Sequence, residues 1–242
     1  MGKLFDFKLV FTQIPRVIPY LPITMEIALI SFAGSLLIGF VVAIVKIKQI
    51  RIIAPLVGFY VSFTRGTPVL VQLYLTYYGI PMFLEGINQV YGTAFNTNGI
   101  APILFALVAL AFNEGAYASE SIRAAIESVD KGQMEAALSI GMTTFQALRR
   151  IILPEALVVA LPSLGNSFIG LIKGTSLVFV TAVVEMTAAG KLMASRNFRY
   201  FEMYITLAIV YWMITSIVSR LLHWGEKRLR CNERQVPDDV TG

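Results

Sequence analysis

The chain has 242 residues, 56% of them apolar and 14% charged, with a net charge of +5, and a mean hydropathy of +0.70. Soluble domains run at roughly 45–50% apolar and about 25% charged, so a soluble globular fold is excluded and lipid is the expected solvent. One histidine (His223) and one cysteine (Cys231) exclude an intramolecular disulfide and a zinc-type ligand cluster.

In chain order, residues 4–19, LFDFKLVFTQIPRVIP, alternate aromatic and charged residues ahead of Pro19 and Pro22. An interfacial helix on the outer surface is expected, making 1–19 a segment apart from the membrane domain. No cleavable signal peptide is read, because the first long apolar run continues past signal-peptide length. A spanning helix needs ~20 mostly apolar residues, and windows near 20–45, 54–79, 101–119, 156–183 and 203–222 meet that need. The expected fold is an all-α integral membrane protein of about five transmembrane helices, spanning 20–222, with a polar cytoplasmic tail at 223–242.

Window one carries Ser31, Ser35, Gly39 and Ala43 at every fourth position, a line that lets another helix approach closely. RGTP at 65–68 interrupts window two. Pro68 removes a backbone donor, and Arg65 is costly in a bilayer unless it faces protein or water, so part of 52–63 is expected along the inner surface. After it, IPMFLEGINQVYGTAFNTNG carries no Lys or Arg and reads as an external loop. Window four is broken by LPSLGN at 161–166 and KGTS at 173–176. Broken backbone at membrane depth is tolerated only where protein or a water-filled cavity covers it.

Lys and Arg collect in cytoplasmic loops. Lys46, Lys48 and Arg51 follow window one; Arg123, Lys131, Arg149 and Arg150 precede window four; Arg220, Lys227, Arg228, Arg230 and Arg234 follow window five. Five crossings put all three groups inside and the N-terminus outside, against fewer cations outside (Lys3, Lys8, Arg16, Lys191, Arg196, Arg199). That bias accounts for the basic charge without a nucleic-acid partner.

The cytoplasmic stretch SVDKGQMEAALSIGMTTFQALRRIILP, about 128–154, resolves into two short helices. Asp130 can cap the first, with Met134, Ala137 and Leu138 as its apolar stripe. Gly141 tolerates the left-handed conformation that ends a helix. Thr143 and Gln146 have capping-box spacing for the second; Phe145, Leu148 and Ile152 form its stripe, and Pro154 opens the next helix. Such a unit is either a loop packed on its own protein or a knob that enters a groove on a soluble partner.

Glu135, Ala136, Ala137, Gly141, Leu153 and Pro154, in the pattern EAA…G…LP, resemble the EAA loop of ABC importer permeases. RGTPVLVQLYLTYYGIP (65–81), SVDKGQMEAALSIGM (128–142) and LPSLGNSFIGLIKGTSL (161–177) resemble the polar amino acid branch of that family. One departure stands out: Gly174 follows Lys173 where the family usually has an aspartate. The resemblance implies the type I importer permease fold in a bacterial plasma (inner) membrane. It also implies a second permease chain (the same chain or a paralogue), an ABC ATP-binding subunit and an external substrate-binding protein. ATP and Mg would be used by the ATPase, with no cofactor bound by this chain. The loop would then be the coupling helix that docks on the ATPase. On that reading Glu135, with Ala136 and Ala137, gives the charged contact, Gly141 the turn, and Phe145 and Leu148 fill the groove.

A free amino acid presents a carboxylate and an ammonium, so intramembrane ionisable residues are pathway candidates. Lys173, with Thr175 and Ser176 beside it, comes first, then Asn166; Glu185 could meet an ammonium, and Arg65 lies at the border with Glu26, Glu114 and Glu120. Each has the alternative of an internal ion pair. The substrate expected is a polar amino acid, with a lean to L-cystine; basic amino acids and glutamine stay open. The rival class is a gradient-driven secondary transporter or channel, which would not need the cytoplasmic knob. A membrane enzyme lacks a nucleophile–base set, and GLIKGTS at 170–176 does not match the order of a phosphate loop.

Overall fold

A computed structural model describes residues 5–233, with the side chains of all but Asn98 and 229–233. The helices are α1 (Phe7–Val17), α2 (Leu21–Lys48), α3 (Ala54–Gly66), α4 (Val69–Tyr91), α5 (Pro102–Glu127), α6 (Lys131–Ser139), α7 (Thr144–Ala147), α8 (Leu153–Gly174), α9 (Met186–Ser195) and α10 (Tyr200–Glu233). No strand occurs among the described residues, as expected of an all-α protein.

Helices α2 and α5 form the spine. Ser31, Ser35, Gly39 and Ala43 are all buried. A Cβ placed on Gly39 would stand 2.9 Å from that of Ala118, and one on Gly34 3.1 Å from that of Ala111. Both pairs advance together along the chain, so α2 and α5 run parallel. The small residues permit this close approach, which supplies the packing that lipid cannot drive hydrophobically.

Helix α4 runs the other way: Asn113 donates to the Gln72 side chain at 3.0 Å, while Thr76 reaches the Phe105 carbonyl at 3.3 Å. Helix α8 is also antiparallel to α5, with Ser163 bonded to Ser121 at 2.8 Å and its start packed near Val129. Helix α10 reverses again, placing Leu222 against Gly165 and Tyr211 beside Thr175. Five helices therefore alternate in direction, matching the expected five crossings. By length and composition, four stretches can cross a membrane: Phe7–Lys48, Pro102–Glu127, Thr144–Thr181 and Tyr200–Arg228. The fifth crossing is the more polar α4. Lys46, Lys48, Arg51, Arg123, Lys131, Arg149, Arg150, Lys227 and Arg228 fall at the end where α2, α5 and α10 finish, which makes that end cytoplasmic.

The structure corrects several boundaries. Window 54–79 is cut at Thr67, and the crossing helix is Val69–Tyr91. Residues 80–91, expected as an external loop, thus continue α4, and only 92–101 connects to α5. The cut is covered by buried Gln72, whose amide donates to the Thr64 carbonyl at 2.9 Å and the Thr67 hydroxyl at 2.8 Å. Helix α8 passes through Pro162, so the break expected at 161–166 is absent, while the one expected at 173–176 is present: a 3-10 turn (Thr175–Thr181) takes over after Gly174. Residues 5–19 of the N-terminal segment do not simply lie on the outer surface, and residues 1–4 lie outside the described residues. Helix α1 packs along α10, where Thr206 donates to the Val10 carbonyl at 2.9 Å, while Phe7 and Phe11 stay exposed. The tail begins as helix, since α10 continues to Glu233. Lys3 and Arg234 lie outside the described residues, as do the side chains of Arg230 and Cys231.

Candidate functional site

At the cytoplasmic end, α6 and α7 hang between α5 and α8. Asp130 caps α6 by accepting from the Gly132 N–H at 2.7 Å. The helix stops because Gly141 takes φ +86. Its N–H reaches the Leu138 carbonyl at 3.0 Å, and the Met142 N–H reaches that of Ala137 at 3.1 Å, the pair of bonds that closes a Schellman motif. Thr143 and Gln146 then form the expected capping box on α7. A π-helical turn, Leu148–Ile152, joins α7 to α8.

Packing splits this unit into two faces. Ala137, Ala147 and Ile152 are buried, and Met134, Leu148 and Ile151 pack beside Ala125, Val129 and Ala156. This fastens the unit to α5 and α8. On the other face Phe145 is 71% exposed and Ile140 75%, with Leu138 and Ala136 also open. The Glu135 side chain, exposed there too, makes no hydrogen bond or ion pair among the described residues. Of the two groove-filling candidates, Phe145 thus points outward and Leu148 packs inward. Ile140 is not among the residues the sequence singles out; its place just before the helix-ending Gly141 is the signal that could have found it.

The pathway candidates do not form one cluster. Asn166 and Lys173 are both exposed and, with Ser163 and Gly170, share one face of α8 at helical spacing. Thr175 turns inward, fully buried, donating to the Ile172 carbonyl at 2.7 Å; Ser176 is half-buried. Glu185 is 0% exposed. It caps α9 by accepting from the Thr187 and Ala188 N–H groups, both at 2.8 Å, and it also accepts from the Tyr211 hydroxyl at 3.2 Å. Arg65 stands apart at the cytoplasmic half, its guanidinium 5.4 Å over the Tyr117 ring. It shares a cavity of about 530 Å³ with Lys46 and Glu120. There Glu120 pairs with Lys46 and, at 2.8 Å, with Arg123, so for Glu120 the internal ion pair is what the fold uses.

Comparison with known proteins bears on this geometry. The family model described as "Binding-protein-dependent transport system inner membrane component" matches residues 35–230. A probable amino-acid ABC transporter permease protein of Vibrio harveyi, PatM, is 42% identical over 93% of this chain and 96% of its own. The L-cystine transport system permease protein TcyL of Bacillus subtilis (strain 168) is 38% identical, over 98% of this chain and 96% of its own. A crystal structure described as an amino acid ABC transporter with histidines superposes with a TM-score of 0.77 at 35% identity, covering 93% of this chain and 100% of that one.

Proposed function

The chain belongs to the family of binding-protein-dependent transport system inner membrane components, and from that premise we propose that it is the translocation subunit of an ATP-driven uptake system for L-cystine. Membership makes it a multi-pass inner-membrane transport subunit rather than an enzyme; ATP hydrolysis belongs to a separate ATPase subunit, and a substrate-binding protein works with the system. The gradient-driven reading is set aside by that membership.

The observation that carries the proposal is the exposed face of the helix–glycine–helix unit. Phe145, Ile140 and Leu138 are apolar and uncovered, and unpaired Glu135 stands among them. An apolar face rimmed by charge on short, well-capped helices fits helix-in-groove docking. In the proposal Phe145 fills the ATPase groove, Glu135 supplies the charged contact, Ala136 permits close approach, and Gly141 sets the angle between the helices. Ala137 and Leu148 hold the unit to the membrane domain. Closure of an ATPase pair on ATP and Mg would pull this unit and its copy in a second permease chain together. The face of α8 bearing Asn166 and Lys173 would line the path and meet the substrate carboxylate. Cystine is supported by the relative that carries its name; glutamine and basic amino acids are the competitors.

Deleting the gene in its host and following radiolabelled amino acids tests this. Cystine uptake is expected to fall and to return on complementation, with excess glutamine or arginine failing to compete. Loss of glutamine or arginine uptake instead would replace cystine as the substrate. No change in any amino acid would contradict the transport reading itself.

A further inference from the structure

A groove of about 510 Å³ opens between α2, α5 and α8 in the cytoplasmic half of the bundle. Helices α2 and α8 meet at Phe32 and Phe168, whose ring centroids are 5.0 Å apart. On the cytoplasmic side of that contact, Leu36 and Phe40 of α2 and Ala160 and Leu164 of α8 line the groove. Ile122, Ala125 and Ile126 of α5 form the floor, with Phe40 and Leu157 as the walls. Phe40 and Leu157 are partly open to the surroundings, so the groove faces outward from the bundle. Its lining is apolar with a single charge, Arg149, at the cytoplasmic mouth. Arg149 is exposed, and its guanidinium makes no ion pair or hydrogen bond among the described residues.

An apolar groove at membrane depth does not favour water, and the molecule beside it in a bilayer is a lipid acyl chain. Basic pockets between transmembrane helices on the cytoplasmic side recognise anionic headgroups, and a guanidinium matches phosphate with paired donors. We propose that this groove binds one phospholipid of the cytoplasmic leaflet, an acyl chain lying between Phe40 and Leu157 and its anionic headgroup on Arg149. The position matters because Arg149 belongs to the π-helical turn Leu148–Ile152 that links α7 to α8. A bound lipid would therefore touch the joint between the cytoplasmic unit and the membrane helix. It would stiffen that joint, making the unit's motion depend on membrane composition.

The test places the purified full chain, with any subunits that accompany it, in nanodiscs of phosphatidylcholine and phosphatidylglycerol. A trace of either lipid carries a photoreactive acyl chain, and crosslinked peptides are read by mass spectrometry. Crosslinks concentrated at Phe40, Ile126 and Leu157, stronger from phosphatidylglycerol, are expected. Arg149→Gln should lower the phosphatidylglycerol yield at these sites about fivefold, the scale of one basic contact at a membrane surface. Arg149→Lys should retain most of it, and both variants should keep the phosphatidylcholine yield of the parent, which guards against misfolding. Equal labelling of Leu37 and Leu221 on open helix faces, or no headgroup preference, would overturn the proposal. So would groove residues that crosslink to a second copy of this chain or to another subunit instead of lipid.

Discussion

Thr143 and Gln146 cap each other at the start of α7: the Gln146 N–H donates to the Thr143 hydroxyl at 3.3 Å, and the Thr143 N–H donates to the Gln146 side-chain oxygen at 2.9 Å. A helix of four residues has little stability of its own, since nucleation is costly. Its shape depends on this reciprocal pair. Removing the threonine cap costs about 1 kcal/mol. Thr143→Ala should therefore speed hydrogen exchange over 144–147 about fivefold, while Thr143→Ser stays near the parent; equal protection in all three would contradict the cap's role.

Gly141 sits at φ +86 with nothing within 4 Å of where a Cβ would point. Backbone strain alone should then rank its substitutions. A β-branched residue is poorly tolerated in the left-handed region, whereas asparagine visits it. Uptake by Gly141→Asn is expected to exceed that by Gly141→Val, and equal loss in both would mean that the glycine is needed for space against a partner.

The close approach of α2 to α5 predicts a stability effect far from the cytoplasmic unit. A side chain at Gly39 would meet the Ala118 Cβ at 2.9 Å and the Ser119 nitrogen at 3.0 Å, both on a packed helix. Overpacking of this kind costs about 1–3 kcal/mol. Gly39→Leu should lower the thermal midpoint in detergent by several degrees, at about 2–4 °C per kcal/mol for a chain of this size. Gly58→Ala, where a Cβ meets nothing within 4 Å, is the control and should match the parent.

Glu185 separates a structural role from a substrate role. Its carboxylate is already engaged by two N–H groups of α9 and by Tyr211. Loss of such a cap costs about 0.5–2 kcal/mol. Glu185→Ala should reduce the thermal midpoint while the folded fraction keeps its KM for substrate. A raised KM at unchanged stability would return Glu185 to the transport path. Lys173→Gln is expected to show the opposite pattern, an altered KM with stability preserved.

What the sequence makes legible here is local. Asp130, Gly141, Thr143 and Gln146 act on neighbours two to four residues away, so their spacing alone indicates their bonds. The Ser31-to-Ala43 line is readable for a related reason, since helical geometry puts every fourth residue on one face. Elements decided by distant packing are not readable in this way. Helix α4 continues through Pro81 and Glu85 because it lies along α5, although its composition suggests a loop. Pro162 fails to break α8, since membrane helices beside it limit the damage a proline does. Helix α1 is held by Glu202 and Thr206, each 196 residues from its partner in the chain. Among the site residues, helix periodicity puts Phe145 on one stripe with Leu148 and Ile152, yet Phe145 faces outward beside Glu135 while the other two, in the π-helical turn, pack inward. The inward turn of Thr175 depends on the 3-10 segment, and the engagement of Glu185 depends on α9 and Tyr211, which no local pattern announces.

The central claim is that the unit around Glu135 and Gly141 couples this membrane chain to an ATPase. Tagging the chain in its host, extracting it in mild detergent and measuring the ATPase activity that co-purifies tests this directly. The account predicts that an ATP-binding subunit accompanies the parent chain and is lost from the Glu135→Lys, Gly141→Pro double variant, which otherwise remains folded and in the membrane. A chain that purifies without ATPase activity and still carries amino acids into liposomes would contradict it.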